Sequence, residues 1–264
     1  MSQKNNVLEK MQESLEKVGE KFLIPISEYE NASEFSKLVY ARRSVRKFTG
    51  EDLDDEKVRF ALKMGLLAPN SSNLQAYQFL RIKKGDLKDA LAYACMNQSA
   101  AKTASELIVC LARTDLIDEH CELMMEELSK KGEVPAIVQT YYKKLAPFVY
   151  NVGLFSWKAL LKFPFFFISG FFKPTPRGPL THNDLLVWAQ KSCALACENI
   201  MLGLRATGLD SCPMEGYDEW RVRKILKLKS GQHLCMILAV GKAMPGGIYG
   251  ESLRFDENKF IVEL

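Results

Sequence analysis

The 264-residue chain holds only three histidines, His120, His182 and His233, and its seven cysteines include no C-x-x-C pair. A histidine-centred nucleophile and a redox dithiol are poor starting points, and an odd number of scattered thiols is no disulfide framework. Cys193 and Cys197 stand one helical turn apart, but no second ligand pair accompanies them, so no metal is expected under the four-ligand rule for zinc. No G-x-G-x-x-G follows an expected strand, and P-loop, H-E-x-x-H and G-x-S-x-G patterns are absent, which excludes the usual dinucleotide, nucleotide-phosphate, zinc-protease and serine-hydrolase signatures. No Pro/Gly/Ser-rich or single-sign charged stretch marks a linker, and residues 1–20 lack the apolar run of a signal peptide. The balance of 36 Lys and Arg against 32 Asp and Glu gives +4, too mild and dispersed for a nucleic-acid binder but compatible with a small anionic ligand.

What is present is the composition of an ordinary globular protein, 47% hydrophobic and 26% charged. One domain with appendages is expected, and cysteines set in apolar runs such as 107–112 suit buried thiols in a reducing cytoplasm. Apolar residues at helical spacing predict an amphipathic helix over 5–23, and a second helix over 54–67 is opened by an Asp and closed before Ala68-Pro69-Asn70. Strands are predicted at 77–83, 106–112, 209–212 and 233–240, a long, nearly all-round apolar helix at 183–206, a turn at Pro213-Met214-Glu215-Gly216 and a further helix from about Asp218. The tail, 259–264, reads as a strand with no local partner, the kind that pairs with another subunit. Residues 148–172 break the pattern with eight phenylalanines and only Lys158 and Lys162 as charges; two lysines and Pro164 argue against a spanning helix. The expected role is a helical lid beside the functional cavity, favoured over an apolar surface that meets lipid.

Two segments carry chemistry. Ala41-Arg42-Arg43-Ser44-Val45-Arg46-Lys47-Phe48 offers guanidinium forks and a hydroxyl suited to phosphate oxygens. About two dozen residues later, Ala68-Pro69-Asn70-Ser71-Ser72-Asn73-Leu74-Gln75 is a loop of amides and hydroxyls that donate and accept at once, before a strand. With Pro213-Met214-Glu215-Gly216-Tyr217, Ala239-Val240-Gly241 and Arg254 following in order, the chain resembles the nitroreductase family of FMN enzymes over 37–264, with 148–179 outside the likeness as an insertion and 1–36 as an N-terminal helical extension.

The resemblance implies an α+β, three-layer fold, a central mixed β-sheet flanked by helices, in an intertwined homodimer with FMN at its interface. It implies that Arg42, Arg43, Ser44, Arg46 and Arg254 hold the phosphate and ribityl chain, and that Pro69, Asn70, Ser71 and Asn73 reach the flavin from the partner subunit. Asn97 would meet the pyrimidine ring, with Gln98 a rival; Ala100 stands where many relatives carry a lysine. Pro213, Glu215 and Gly216 would form the turn whose backbone N–H faces the reactive flavin nitrogen, so the catalytic role falls on the backbone. The implied activity is hydride transfer from NADPH or NADH through FMN to a nitroaromatic, quinone or activated alkene. An FMN storage protein and a membrane-docked flavoprotein acting on a lipophilic substrate are the alternatives.

Overall fold

The computed structural model describes residues 30–175 and 177–264. The chain divides into two units, Met1–Tyr40 and Ala41–Leu264. Of the first, only the helix α1, Glu30–Ala41, is described, and the helix expected over 5–23 lies outside the described residues.

In the second unit, α2 spans Asp55–Leu66 and starts where the sequence says it must. The Asp54 carboxylate accepts from the Glu56 amide at 2.9 Å, Asp55 and Glu56 sit at the positive end of the helix, and the helix stops before Pro69. The chain continues through β1 (Tyr77–Ile82), α3 (Asp86–Ala94), α4 (Ser99–Thr103), β2 (Glu106–Arg113) and α5 (Ile117–Lys130). Next come α6 (Ala136–Thr140), a π-helical turn at Tyr141–Leu145, α7 (Ala146–Tyr150) and α8 (Ala159–Phe172). The long helix α9 (His182–Ala206) follows, then β3 (Asp210–Met214), α10 (Glu219–Leu226) and β4 (Gln232–Gly241). A capping box opens α9: Asp184 N–H donates to Thr181 Oγ1 at 3.1 Å while Thr181 N–H donates to Asp184 Oδ2 at 2.9 Å.

The sheet order is β1-β2-β4-β3 with every strand pairing antiparallel. Among the described residues, the expected mixed sheet is mixed only through a parallel bridge between Ser44 and Ser211. Strand β2 is buried along its whole length, and its alternation defines the layers. Leu107, Val109 and Leu111 enter one core with Leu91 of α3 and Val222 of α10, whereas Ile108, Cys110 and Ala112 enter another with Val58 and Ala61 of α2 and Ala196 and Ile200 of α9. Helices therefore cover both faces of one sheet, the α+β three-layer arrangement.

Helix α9 crosses α2 closely because both are small at the contact. A Cβ on Gly65 would lie 2.5 Å from Ile200 Cγ1, and one on Gly203 would lie 3.0 Å from Ala61 Cα. Across the sheet edge, Arg81 of β1 forks onto Glu106 of β2 at 2.6 and 2.8 Å and reaches Asp55 at 2.7 Å, tying two strands to the start of α2.

Three expectations need correction. Strand β3 runs to Met214, so the turn starts at Glu215 and not at Pro213; Pro213 pairs with Leu238 and is tolerated because β3 is an edge strand. The tail 259–264 forms no strand: a 3-10 turn occupies Glu257–Lys259, and Phe260, Ile261 and Val262 are exposed, since a lone strand has no ladder to join within one chain. Residues 148–172 are largely helical as expected, but the chain itself does not hide their aromatic side chains: of the eight phenylalanines only Phe166 is buried.

Candidate functional site

The basic run after α1 is neither helix nor strand, and backbone bonds to distant segments fix its path. Val45 N–H donates to the Ser211 carbonyl at 3.0 Å and Arg46 N–H to the Gly247 carbonyl at 2.7 Å. Val45 between them is fully buried, so its neighbours Ser44 and Arg46 are turned the other way. The result is a cleft of about 230 Å³ lined by Arg42, Arg43, Ser44 and Arg46 on one side and 248–254 on the other. Arg43 donates to the Gly250 carbonyl, the Arg46 guanidinium lies 5.4 Å from the Tyr249 ring centroid, and Arg254 lines the same cleft.

Four guanidinium groups face a single lining carboxylate, Glu251, and Arg42 has one further distant acid, Glu198, at 4.0 Å. Such a donor-rich, acid-poor pocket suits a phosphate dianion. Its volume is below that of a pocket for a whole drug-sized ligand, which runs from roughly 300 Å³ upward, so the remainder of such a ligand has to lie beyond it.

The turn after β3 is held by a residue from the α3–α4 link. Gln98 Nε2 donates to the Gly216 carbonyl at 2.5 Å, and a Cβ on Gly216 would lie 2.9 Å from that same nitrogen, so glycine is what lets the amide approach. Asp218 N–H donates to the Ala94 carbonyl at 2.8 Å, a second tie between the same segments. Burial pushes the Tyr217 hydroxyl above its ordinary range, which keeps it neutral. The Glu215 side chain is exposed. Asn97 is exposed with a positive φ of 51°, whereas its rival Gln98 makes the contact to the turn.

The amide loop does not line this cleft within the chain. Asn70 spends its side chain on its own loop, accepting from Gln75 N–H at 2.7 Å and donating to the Ala68 carbonyl at 3.2 Å. Ser71 shares a hydrogen bond with Tyr150 Oη at 3.1 Å, Ser72 with Tyr141 Oη at 2.5 Å, and Tyr142 Oη donates to the Ser72 carbonyl at 3.0 Å. Asn73, at a φ of 50°, directs its amide to Met124 Sδ at 3.9 Å. Three tyrosines of the π-turn region thus brace a loop that contains positive φ at Ser72, Asn73 and Gln75. The structure gathers Arg42, Arg43, Ser44, Arg46 and Arg254, brings Gln98 to Gly216, and leaves Pro69, Asn70, Ser71 and Asn73 in a separate place.

A larger cavity, about 620 Å³, lies elsewhere, lined by residues including Thr114, Tyr150, Val152, Phe155, His182 and His233. The histidines make local bonds: His120 Nδ1 to the Leu74 carbonyl at 2.6 Å, His182 Nε2 to the Gly153 carbonyl at 3.0 Å, and His233 Nε2 to Thr114 Oγ1 at 3.3 Å. All seven cysteines are unpaired thiols. Sequence spacing did not reveal that Cys235 joins Cys193 and Cys197, with the three Sγ atoms within 4.8 Å of one another. Burial pushes the nearby Cys110 thiol well above its ordinary range and Cys95 up to about 11, the behaviour of inert core thiols.

Known proteins share this fold. The model of the nitroreductase family matches residues 39–242. Protein DrgA of Synechocystis is 28% identical over 207 residues, 77% of this chain and 81% of that one. A protein of Exiguobacterium sibiricum classed with nitroreductases and solved in complex with FMN superposes with a TM-score of 0.65 at 24% identity, covering 87% of this chain and 97% of its own. A Staphylococcus epidermidis protein named for NAD(P)H:FMN oxidoreduction gives 0.71 at 16% identity, covering 92% and 98%. These two share the fold, and with the family match over most of the chain the conclusion is direct: this protein belongs to the nitroreductase family.

Proposed function

We propose that this chain is an FMN-dependent oxidoreductase that draws hydride from NADPH or NADH and reduces a quinone, nitroaromatic or activated alkene. The observation that carries the reading is the cleft in which Arg42, Arg43, Ser44 and Arg46 meet Arg254 from the far end of the chain. Its donor set fits a flavin phosphate: the guanidinium groups neutralise the dianion, and the Ser44 hydroxyl adds a short donor. When bound, FMN supplies the two-electron chemistry, taking hydride from the nicotinamide and passing it to the acceptor.

The protein's part is position and electrostatics. In this reading Gln98, rather than Asn97, keeps the Glu215-Gly216 turn in place, and the backbone N–H groups of that turn are the donors toward the flavin ring. No side-chain nucleophile is required. The loop with Pro69, Asn70, Ser71 and Asn73 is braced apart from the cleft within one chain, which supports a homodimer in which the partner delivers it. The flavin module is assigned to 37–264 with 148–179 inserted, preceded by an extension over 1–36. Seven free thiols support a cytoplasmic setting.

The test is an absorption spectrum of the purified protein followed by steady-state NADPH and NADH oxidation with menadione and a nitroarene. A flavin spectrum with acceptor-dependent turnover is expected. A flavin spectrum without turnover would make it a storage protein, and a colourless protein that fails to take up added FMN would overturn the reading.

A further inference from the structure

Helix α8 inverts the usual polarity of a surface helix. Its buried residues are Lys162 and Phe166, one turn apart. The Lys162 ammonium donates to the carbonyls of Val149 and Asn151 at 2.8 and 2.9 Å and lies 5.4 Å from the Phe148 ring centroid. A charged side chain is thus spent on holding the helix to its own protein. The outward residues are the greasy ones: Leu160, Leu161, Phe163, Phe167, Phe171 and Phe172 are between 46% and 81% exposed. An apolar surface this extensive on a folded chain marks an interaction site.

Charge selects the occupant. From 134 to 183 there is no Asp or Glu, but Lys143, Lys144, Lys158, Lys162, Lys173 and Arg177 all fall in this stretch. Lys158 and Lys173 cap the two ends of α8, the Arg177 guanidinium lies against Gly170, and Trp157, half exposed, stands just before the helix. Aromatic and apolar residues on the exposed face with cations at the margins are the features of a helix lying in a membrane interface. A symmetric contact with a second copy would set the same acid-free cationic surface against itself, whereas anionic headgroups supply the missing charge. At 14 residues α8 is roughly 21 Å long by helical rise, short of the ~30 Å hydrocarbon layer. No helix among the described residues is long and apolar enough to cross a membrane.

We propose that the insertion is a monotopic docking surface for an anionic lipid bilayer, with the outer face of α8 at the boundary of headgroups and acyl chains and Lys158, Lys173 and Arg177 against the headgroups. The proposal stands independently of the flavin reading. It is tested by co-sedimentation of the full-length protein with vesicles of phosphatidylcholine alone and of an equimolar mixture with phosphatidylglycerol, at low and high salt.

Binding to the mixed vesicles is expected, weaker to phosphatidylcholine and weakened by salt. Replacing Lys173 and Arg177 by Glu should lower the affinity for the mixed vesicles by at least about fivefold per residue and leave phosphatidylcholine binding little changed. The exposed pair Phe167→Glu and Phe171→Glu should abolish binding to both, with an unchanged circular dichroism melt. Failure of the unmodified protein to sediment with mixed vesicles overturns the proposal without recourse to any variant. So does binding that survives the Phe167→Glu, Phe171→Glu pair, or a dimer seen by light scattering that this pair dissociates while no vesicle binding is found; the last result would assign the surface to a second copy.

Discussion

The side-chain amide of Gln98 donates to the carbonyl of Gly216, bridging 118 positions of sequence, and it does so at a distance that leaves no room for a Cβ on the glycine. This contact fixes the turn after β3 against the start of α4. A hydrogen bond of this type contributes on the order of 1 kcal/mol, so Gln98→Ala should weaken FMN binding by about fivefold and lower turnover. Gly216→Ala should do the same by displacing Gln98, and the two together should cost less than their sum, since the clash disappears with the amide. Fluorescence titration of FMN with the four proteins measures this coupling; strict additivity would mean the turn is held by something else.

Arg42 and Arg254 line one cleft from opposite ends of the chain. Removal of either guanidinium should cost on the order of 1.5 to 3 kcal/mol of FMN binding, with riboflavin, which lacks the phosphate, almost unaffected. Isothermal titration of both ligands with Arg42→Ala and Arg254→Ala checks this. Equal losses for the two ligands would remove the phosphate from the cleft.

Cys193 is fully buried among Cys197, Cys235 and the α2 contact. Cys193→Ala should lower stability by about 1 to 2 kcal/mol through lost packing, with kcat retained in FMN-loaded protein. Urea unfolding and NADPH–menadione turnover read the two effects separately. A fall in kcat of more than about tenfold, equivalent to roughly 1.4 kcal/mol, would return a thiol to the mechanism.

Asp55 accepts from Lys83 and Arg81 at 2.8 and 2.7 Å, and these two hydrogen bonds, Lys83 first, hold its carboxyl down to about 2. A depressed carboxyl favours the folded state above its unfolded value, near 3.8, and that contribution is lost as the pH falls through about 2. Asp55→Asn should therefore lower the urea midpoint at neutral pH, with the difference from the unmodified protein closing between pH 4 and 2. A pH-independent difference would show that the pair contributes through packing alone.

Much of the scaffold was legible in the chain because local rules set it. Asp54 marks a helix start through its side-chain cap, Pro69 forbids continuation of α2, and the apolar run at 107–112 has no polar face to offer water. The basic run, the amide loop and the Glu215-Gly216 turn were visible as donor-rich segments for the same reason: their chemistry is carried by residue type.

What tertiary structure decided is which of these segments meet. The extent of β3 depended on the ladder to Leu238 and Ile237, which overrode the turn propensity of Pro213. The choice of Gln98 over Asn97 depended on the positive φ at Met96 and Asn97, which sends adjacent side chains in directions no spacing rule anticipates. Tyr249 and the 248–254 wall lie in irregular chain without periodicity, so only long-range backbone bonds such as Arg46 to Gly247 bring them to the cleft. Cys235 likewise reaches Cys193 and Cys197 only because β4 passes under α9. The tail 259–264 shows the limit from the other side: β-pattern alone makes a strand only where a second edge exists to satisfy its backbone, and one chain does not supply it.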